Sequence, residues 1–327
     1  MLKKTLPLLI VLSLAACSQS EAPPAPPTEA AKPAEPAPAP APAPAPVEPV
    51  KSPIEQAVAG AWRTPENVVR DAFRNPVPTL GFFGVEPTEV VLEITPGGGW
   101  YTEILAPLLR DGGRYIAAVV DPAKAANERA AEYYGNALKS FQEKLAGNAE
   151  VYGKAEVLQF DPANPVFGAP GSVDTVLTFR NVHNWMPSGA APAYFKGFYD
   201  VLRDGGTLGI VEHRAAEGTE PDGRSGYVTE AQVIALAEAA GFKLEEKSEI
   251  NANPKDTRDH PNGVWSLPPV LRGGDVDREK FVAIGESDRM TLRFVKPAAS
   301  EPAQPAGDAA SSDAAASEAA AESSAES

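Results

Sequence analysis

Between residues 89 and 250, short unbroken apolar runs alternate with longer stretches whose apolar residues recur every three or four positions. The first pattern covers 90–94, 114–120, 156–160, 175–179 and 208–212, and 243–250 is a further strand candidate. Runs of Val, Ile and Leu without polar alternation predict strands buried on both faces. The second pattern covers 100–110, 123–145, 190–202 and 229–240 and predicts amphipathic helices. Asp111-Gly112-Gly113 and Asp204-Gly205-Gly206 put glycine where helices are expected to end. The run 290–295 predicts a last strand, placed antiparallel. Strand and helix in alternation give an α/β fold, a doubly wound and mostly parallel seven-stranded sheet. Ahead of it, Thr64-Pro65-Glu66-Asn67 predicts a helix start capped by Thr64, with Val68, Val69, Ala72 and Phe73 as its apolar face and Asn75-Pro76-Val77-Pro78 as its stop. Such a helix either closes one side of a pocket or simply packs.

Both ends of the chain break the pattern. Residues 18–50 are rich in Pro and Ala and bury no core; an extended polyproline tether at ~3.1 Å per residue would reach roughly 100 Å. Residues 299–327 are Ala, Ser and Glu with six acids and no base, the composition of a disordered tail. The folded domain is therefore expected over 51–298. The net charge of -15 owes much to that tail, and no basic stripe suggests nucleic acid as a partner. The single cysteine, Cys17, lies outside the domain, which excludes a disulfide framework or a cysteine-ligated metal within it. The three histidines, His183, His213 and His260, have no ligand spacing, so no metal is expected.

Residues 1–17 have a basic start at Lys3-Lys4, a short apolar run and small residues before Cys17. That is the pattern of an export signal, too short to favour a stable membrane span. Leu14-Ala15-Ala16-Cys17 resembles a bacterial lipoprotein box, which implies lipidation of Cys17 and a membrane anchor, with the domain in the cell envelope. Ser18 after the cysteine fits the outer membrane, with the domain facing the periplasm.

The candidate chemistry centres on Glu93-Ile-Thr95-Pro-Gly97-Gly98-Gly99, between the first strand and first main helix. Glycines let backbone approach a ligand closely, and the next helix points free N–H groups at it. A dinucleotide turn would carry glycine at position 102, where Thr102 stands, so a nicotinamide cofactor is disfavoured. A P-loop is excluded by the lack of Lys-Ser/Thr after the glycines. The segment resembles the first motif of class I S-adenosylmethionine-dependent methyltransferases, acidic-x-Gly-x-Gly-x-Gly, with Thr95 in place of the first glycine. The resemblance extends over residues 60–297 to a family of exported bacterial predicted methyltransferases, through Ile94-TPGGGWYTEILAPLL, Phe179-RNVHNW, Gly263-VWSLPPVLRGGD and Ala283-IGESDRMTLRFVKP. It implies S-adenosyl-L-methionine as cofactor, with Glu93, Thr95 and Gly97 to Gly99 at the turn. It also implies Asp121 on the ribose hydroxyls, Asp161 toward the adenine amine, and Arg180 and Asn181 at the end of the fourth strand. Apart from the resemblance, Asp121 and Asp161 could equally be turn residues or helix caps.

His183, just past the fourth strand, is the candidate base, with His213 second; either could equally be structural. Trp185 and Trp265 could wall the acceptor through their ring faces or be partly buried core. About forty residues rich in turn formers separate the last two strands, long for a loop in a compact domain. They are expected to form a lid, with Trp185, His260, Trp265 and Arg272 as its substrate-facing residues. Two functions remain in view. One is a methyltransferase acting on a small molecule or envelope component. The other is a non-catalytic ligand-binding or interaction lipoprotein that keeps the fold.

Overall fold

A computed structural model of the chain describes residues 51–298. Cys17, the export signal, the tether and the acidic tail lie outside the described residues. Seven strands form one sheet: β1 Val90–Ile94, β2 Arg114–Val120, β3 Glu156–Phe160, β4 Val173–Phe179, β5 Leu202–His213, β6 Lys243–Ser248 and β7 Arg289–Val295. Their order across the sheet is β3-β2-β1-β4-β5-β7-β6. β7 runs antiparallel to both β5 and β6, and the other pairs are parallel. The chain winds outward from β1 to β3 and then returns to β4 on the other side of β1. The direction of winding thus reverses at the β1/β4 seam, where open α/β sheets have a crevice at the carboxyl ends of their strands. The expected sheet is the observed one.

Eleven helices flank it among the described residues. Four short ones precede β1: α1 Pro53–Val58, α2 Pro65–Val68, α3 Asp71–Arg74 and α4 Pro76–Phe83. α5 Thr102–Leu109, α6 Glu128–Gly147, α7 Ala149–Tyr152, α8 Val182–Trp185, α9 Ala191–Val201, α10 Glu230–Ala239 and α11 Arg278–Ile284 come after it. Each sheet face has its own apolar layer. Leu92, Ile94, Val120, Val176, Ile210 and Leu292 pack with Phe195 and Phe198 of α9 on one side. Val91, Ala117, Val119, Leu177 and Val211 pack with Leu80 and Phe83 of α4 and with Ile104, Leu105 and Leu109 of α5 on the other. Double burial explains why these strands lack polar alternation.

Several boundaries differ from the sequence expectation. The helix expected over 123–145 is a 3-10 turn, Pro122–Lys124, followed by α6, because Asn127 interrupts and its side chain accepts from Ala130 N as a fresh cap. Asp204-Gly205-Gly206 does not end a helix; it lies inside β5, which starts directly after α9. The first helix breaks into α2 and α3. Thr64 makes no cap; its hydroxyl donates to buried Glu103 Oε1 at 3.1 Å. That bond draws the N-terminal segment onto α5 instead of lengthening a helix.

At Gly209 of β5 an added Cβ would lie 2.7 Å from Leu177 Cδ2 and 2.8 Å from the Phe83 ring, so α4 rests directly on strand backbone. At Gly98 an added Cβ would meet nothing within 4 Å. Gly209→Val is expected to cost about 1–3 kcal/mol or more by overpacking, and Gly98→Ala under about 1 kcal/mol, in urea unfolding of the full chain. Equal losses at the two positions would contradict this packing.

Candidate active site at the carboxyl edge of the sheet

The glycine turn leaves β1 at the seam where the winding reverses. Thr95 N donates to Ala118 O of β2 at 2.8 Å, which pins the turn's first residue. Thr95 has φ +49°, a left-handed backbone that a β-branched residue adopts only under strain, so this position suits glycine better. Gly97 (φ +59°) and Gly99 (φ +75°) need the same freedom without the penalty. Positions 97 and 98 face open space, whereas the Lys144 alkyl chain lies against Gly99 and its Nζ reaches Glu103 Oε1 at 2.6 Å. Backbone is thus bared at 97–98, a cradle that side chains would fill.

Glu93 does not face that cradle. It is 2% exposed and accepts a 2.6 Å bond from Tyr115 OH, itself 2.8 Å from Thr102 Oγ1. Burial pushes its carboxyl up to about 7, against the pull of Tyr115, Arg180 and Arg74. Glu93 therefore supports the turn from behind. Asp121 and Asp161, at the ends of β2 and β3, are half-buried. Each spends one oxygen on a turn: Asp121 Oδ1 accepts from Ala123 N at 2.9 Å and Asp161 Oδ1 from Ala163 N at 2.8 Å. Both act as caps, as one sequence alternative had it, and Oδ2 of each has no hydrogen-bond partner among the described residues.

β4 ends beside the turn. Phe179 stacks on Tyr101 with ring centroids 3.5 Å apart. Asn181 is 7% exposed, and its amide donates to Ile94 O at 2.9 Å and to Thr178 Oγ1 at 3.2 Å, so it clamps the ends of β1 and β4 together. Arg180, between them, has φ +61°, and its Nη1 is buried without a partner.

His183, on α8, meets the end of β5. Its Nδ1 lies 3.0 Å from Glu212 Oε1, and its backbone N–H donates to Glu212 Oε2 at 3.3 Å. Oε1 also accepts from His213 N at 2.7 Å. The fully buried carboxylate thereby holds Nδ1–H of His183 and leaves Nε2 as the acceptor. The His213 ring lies 5.3 Å from that of His183, and its Nδ1 bonds Ser287 Oγ. Burial first, then the neighbouring His183, Arg180, Arg289 and Arg74, hold His213 well below the usual histidine range, so it is neutral.

Sequence spacing pointed away from a histidine metal site, but the fold gathers what spacing could not show. His183, Glu212 and His213 each offer an atom within 4.8 Å of the others, close enough to hold a metal ion. Two observations favour a hydrogen-bonded dyad over a metal centre. Glu212 already accepts three N–H groups, and nearby arginines make the location unfavourable for a further cation.

The four residues assigned to a lid do not stay together. Trp185 is core: it stacks on Tyr194 at 4.2 Å, because α8 turns its ring under α9. His260 is buried and its Nε2 bonds Asp256 Oδ1 at 2.9 Å, while Asp256 also accepts from Tyr227 OH and Asp288 N. His260 therefore helps fasten the segment and is not available to a substrate. Trp265 and Arg272 do lie at the site: Trp265 is 6.1 Å from the His183 ring, and the Arg272 guanidinium covers the indole at 4.7 Å. Sequence reasoning missed Glu212, Ser287, Arg74, Glu286 and Arg289. Only the buried-strand position of Glu212, an acid ending an apolar run, hinted at a role.

No protein-family model matches the chain, and a search of curated proteins finds no match. Among solved structures, an Aquifex aeolicus S-adenosylmethionine-dependent methyltransferase is 18% identical with a TM-score of 0.44, over 56% of this chain and 87% of that one. A Bacillus halodurans putative methyltransferase is 17% identical at 0.42, over 68% and 98%. Haemonchus contortus phosphoethanolamine N-methyltransferase 2, in complex with S-adenosyl-L-methionine, is 15% identical at 0.47, over 76% and 61%. Likeness this low transfers no activity, and the chemistry of the site is carried by this chain's own residues.

The raised Glu93 carboxyl makes stability depend on pH. Its proton is held more tightly in the folded chain than at the ordinary value of 4.5, so the stability it contributes is complete below pH 4.5 and is lost as pH rises through 7. Glu93→Gln is expected to match the native chain in acid and exceed it by on the order of 3 kcal/mol above pH 7. Glu286, held down to about 2 by its arginines against the opposing effect of burial, acts in another window, losing stability as pH falls from 4.5 toward 2. Parallel stability curves for Glu93→Gln and the native chain from pH 4.5 to 7.5 would refute the assignment.

Proposed function

We propose that the chain is an S-adenosylmethionine-dependent methyltransferase whose cofactor sits on the glycine turn. The observation that carries this reading is the bare backbone at Gly97 and Gly98, at the winding reversal, with Asp121 and Asp161 at the ends of the next two strands outward. Two vicinal ribose hydroxyls can donate to one carboxylate, which suits the free oxygen of Asp121, and an exocyclic amine suits that of Asp161. Thr102 at the third glycine position speaks against a nicotinamide dinucleotide.

Bound there, the cofactor would supply an electrophilic sulfonium methyl. The chain's own residues do the rest. Asn181 and the Tyr101–Phe179 stack hold the β1 and β4 ends in register, so the cradle has a fixed shape. His183 Nε2, oriented by Glu212, can accept a proton from an acceptor lying between it and Trp265. Trp265 and Arg272 shield that side from water. Orientation and exclusion of water are the main contributions a protein can make to an in-line displacement. The acceptor is read as a small molecule or an envelope component. We further read Cys17 as the lipid anchor, on the strength of the Leu14-Ala-Ala-Cys17 box and the absence of another cysteine in the sequence. Mass spectrometry of the mature protein should find an acylated Cys17 at its N-terminus, and an unmodified cysteine would reject the anchor.

Calorimetry of the full chain with S-adenosylhomocysteine should show binding that falls at least about tenfold in Asp121→Ala and in Gly98→Ala. Gly98→Ala is the sharper test, because its new methyl meets nothing in the protein and only a ligand can feel it. His183→Gln should keep cofactor affinity and lose turnover by about 10²–10⁴-fold. No binding at millimolar ligand would sink the reading. Binding without turnover of any acceptor would favour the non-catalytic alternative, and turnover indifferent to His183 would remove His183 as the base.

A further inference from the structure

Three arginines converge on the Glu286 carboxylate beside the glycine turn, and a fourth lies near them. Arg70 Nε donates to Glu286 Oε1 at 2.6 Å, Arg74 Nε to Oε2 at 3.3 Å, and Arg289 Nη2 lies 3.0 Å from Oε2. Arg74 and Arg289 are almost wholly buried. Arg180 is the fourth, and among the described residues its guanidinium forms no hydrogen bond or ion pair. Its backbone is held left-handed, a conformation that a long side chain adopts at a cost. A guanidinium whose buried Nη1 makes no hydrogen bond forgoes free energy that a ligand's oxyanion would supply.

The electrostatics agree. Burial and then repulsion from Arg180 lower Arg74, and burial and then repulsion from Arg289 bring Arg180 down to about 10. For both, the repulsion outweighs the attraction of Glu286. Glu93 is close enough to both to be pulled down by them, yet burial leaves it only partly ionised at neutral pH. Positive charge is therefore in excess, and Arg180 remains a cation near neutral pH.

We propose that Arg180, backed by Arg74 and Arg289, forms a binding site for a carboxylate or phosphate group at the carboxyl edge of β4. The planar guanidinium fork matches such oxyanions in two parallel bonds, which an ammonium cannot do. The site has two neighbours. Tyr101 and Glu93 interact with Arg180 from the glycine-turn side, and His213 feels it from the side of the His183–Glu212 dyad. The anion is thus carried either by the cofactor's amino-acid moiety or by the acceptor. In the second case the substrate class is an acidic molecule, and Arg180 determines its specificity. Choosing between these sources rests on the proposed function; the anion site itself does not.

The test uses the full chain, its Arg180→Gln variant, and three probes: inorganic phosphate, S-adenosylhomocysteine and 5′-methylthioadenosine, which lacks the amino-acid moiety. Phosphate should raise the melting temperature of the native chain in a salt-sensitive way, and Arg180→Gln should lose at least tenfold in phosphate affinity. Arg180→Lys should retain part of it, which guards against a variant that merely misfolds. If the variant also binds S-adenosylhomocysteine at least tenfold more weakly while 5′-methylthioadenosine binds as before, the anion is the cofactor's carboxylate. If both nucleosides bind unchanged, the anion belongs to the acceptor. If neither nucleoside binds the native chain but phosphate does so through Arg180, the anion site stands and the methyltransferase reading falls. Phosphate that fails to bind the native chain, or binds Arg180→Gln equally well, overturns the proposal.

Discussion

The buried Glu286 carboxylate is the constraint on which the edge of this fold depends. It lies just before β7, yet its partners come from α3, from the residue ahead of α3 and from β7 itself, across more than two hundred positions of chain. Removing one partner of a buried ion pair costs about 3–5 kcal/mol, because the other charge is left without compensation. The N-terminal segment therefore cannot detach from β7 cheaply. Once it is fixed there, Arg74 lies over the Trp100 ring at 4.7 Å and Arg63 over the same ring at 5.1 Å. Trp100 Nε1 donates to Asn67 O, and the residue comes directly after the three glycines. One carboxylate thus sets the wall against which the glycine turn is shaped.

A second set of charges does the same for the segment between β6 and β7. Arg214, just after β5, donates to Asp288 and to Glu249, and Arg258 also reaches Asp288. These bonds lift Arg214 above its usual range and lower Asp288, against burial that raises it. With Asp256 bridging Tyr227, His260 and the Asp288 backbone, the segment is sewn to the end of β5. Trp265 and Arg272 are presented to His183 from a fastened frame. A long polar insertion suggests a mobile flap, but its hydrogen bonding describes a fixed rim.

The strands and the turn were legible because each rests on local chemistry. Val90-Val91-Leu92 must be buried on both faces, and glycines at 97 and 98 must bare the backbone. The main helices were legible from periodicity, apart from the break at Asn127. The partners of the polar residues were not, because they are set by topology. Glu212 ends a strand as an apparently misplaced acid and becomes intelligible only when the β4/β5 pairing brings α8 beside it. Thr64 had the sequence of a cap and is instead a ligand of Glu103, since a buried carboxylate competes successfully for a hydroxyl. Trp185 is the core residue that one of its two readings had it, and His260, expected to face the substrate, is bonded to Asp256 instead. Residue type indicates what a side chain can touch, while the packing of α9 and the Asp256 staple decide what it does touch.

Sorting the polar residues of this edge by what they have left to offer separates structure from function more sharply than sorting them by motif. Glu93 and Asn181 belong to the motif, but they are buried, bonded to Tyr115 and Ile94, and oriented inward. They shape the cradle and have little left for a ligand. Asp121 and Asp161 retain one unbonded oxygen each, His183 retains Nε2, and Arg180 retains a whole guanidinium. Every polar group left unsatisfied in a folded chain forgoes free energy that another residue could have supplied. These four lie along the carboxyl edge of one sheet, around bare glycine backbone. Their unused capacity is two acceptors for neutral donors, one acceptor for a proton and one fork for an anion. Such a set suits a ligand with hydroxyls and an amine at one end and an acid group at the other.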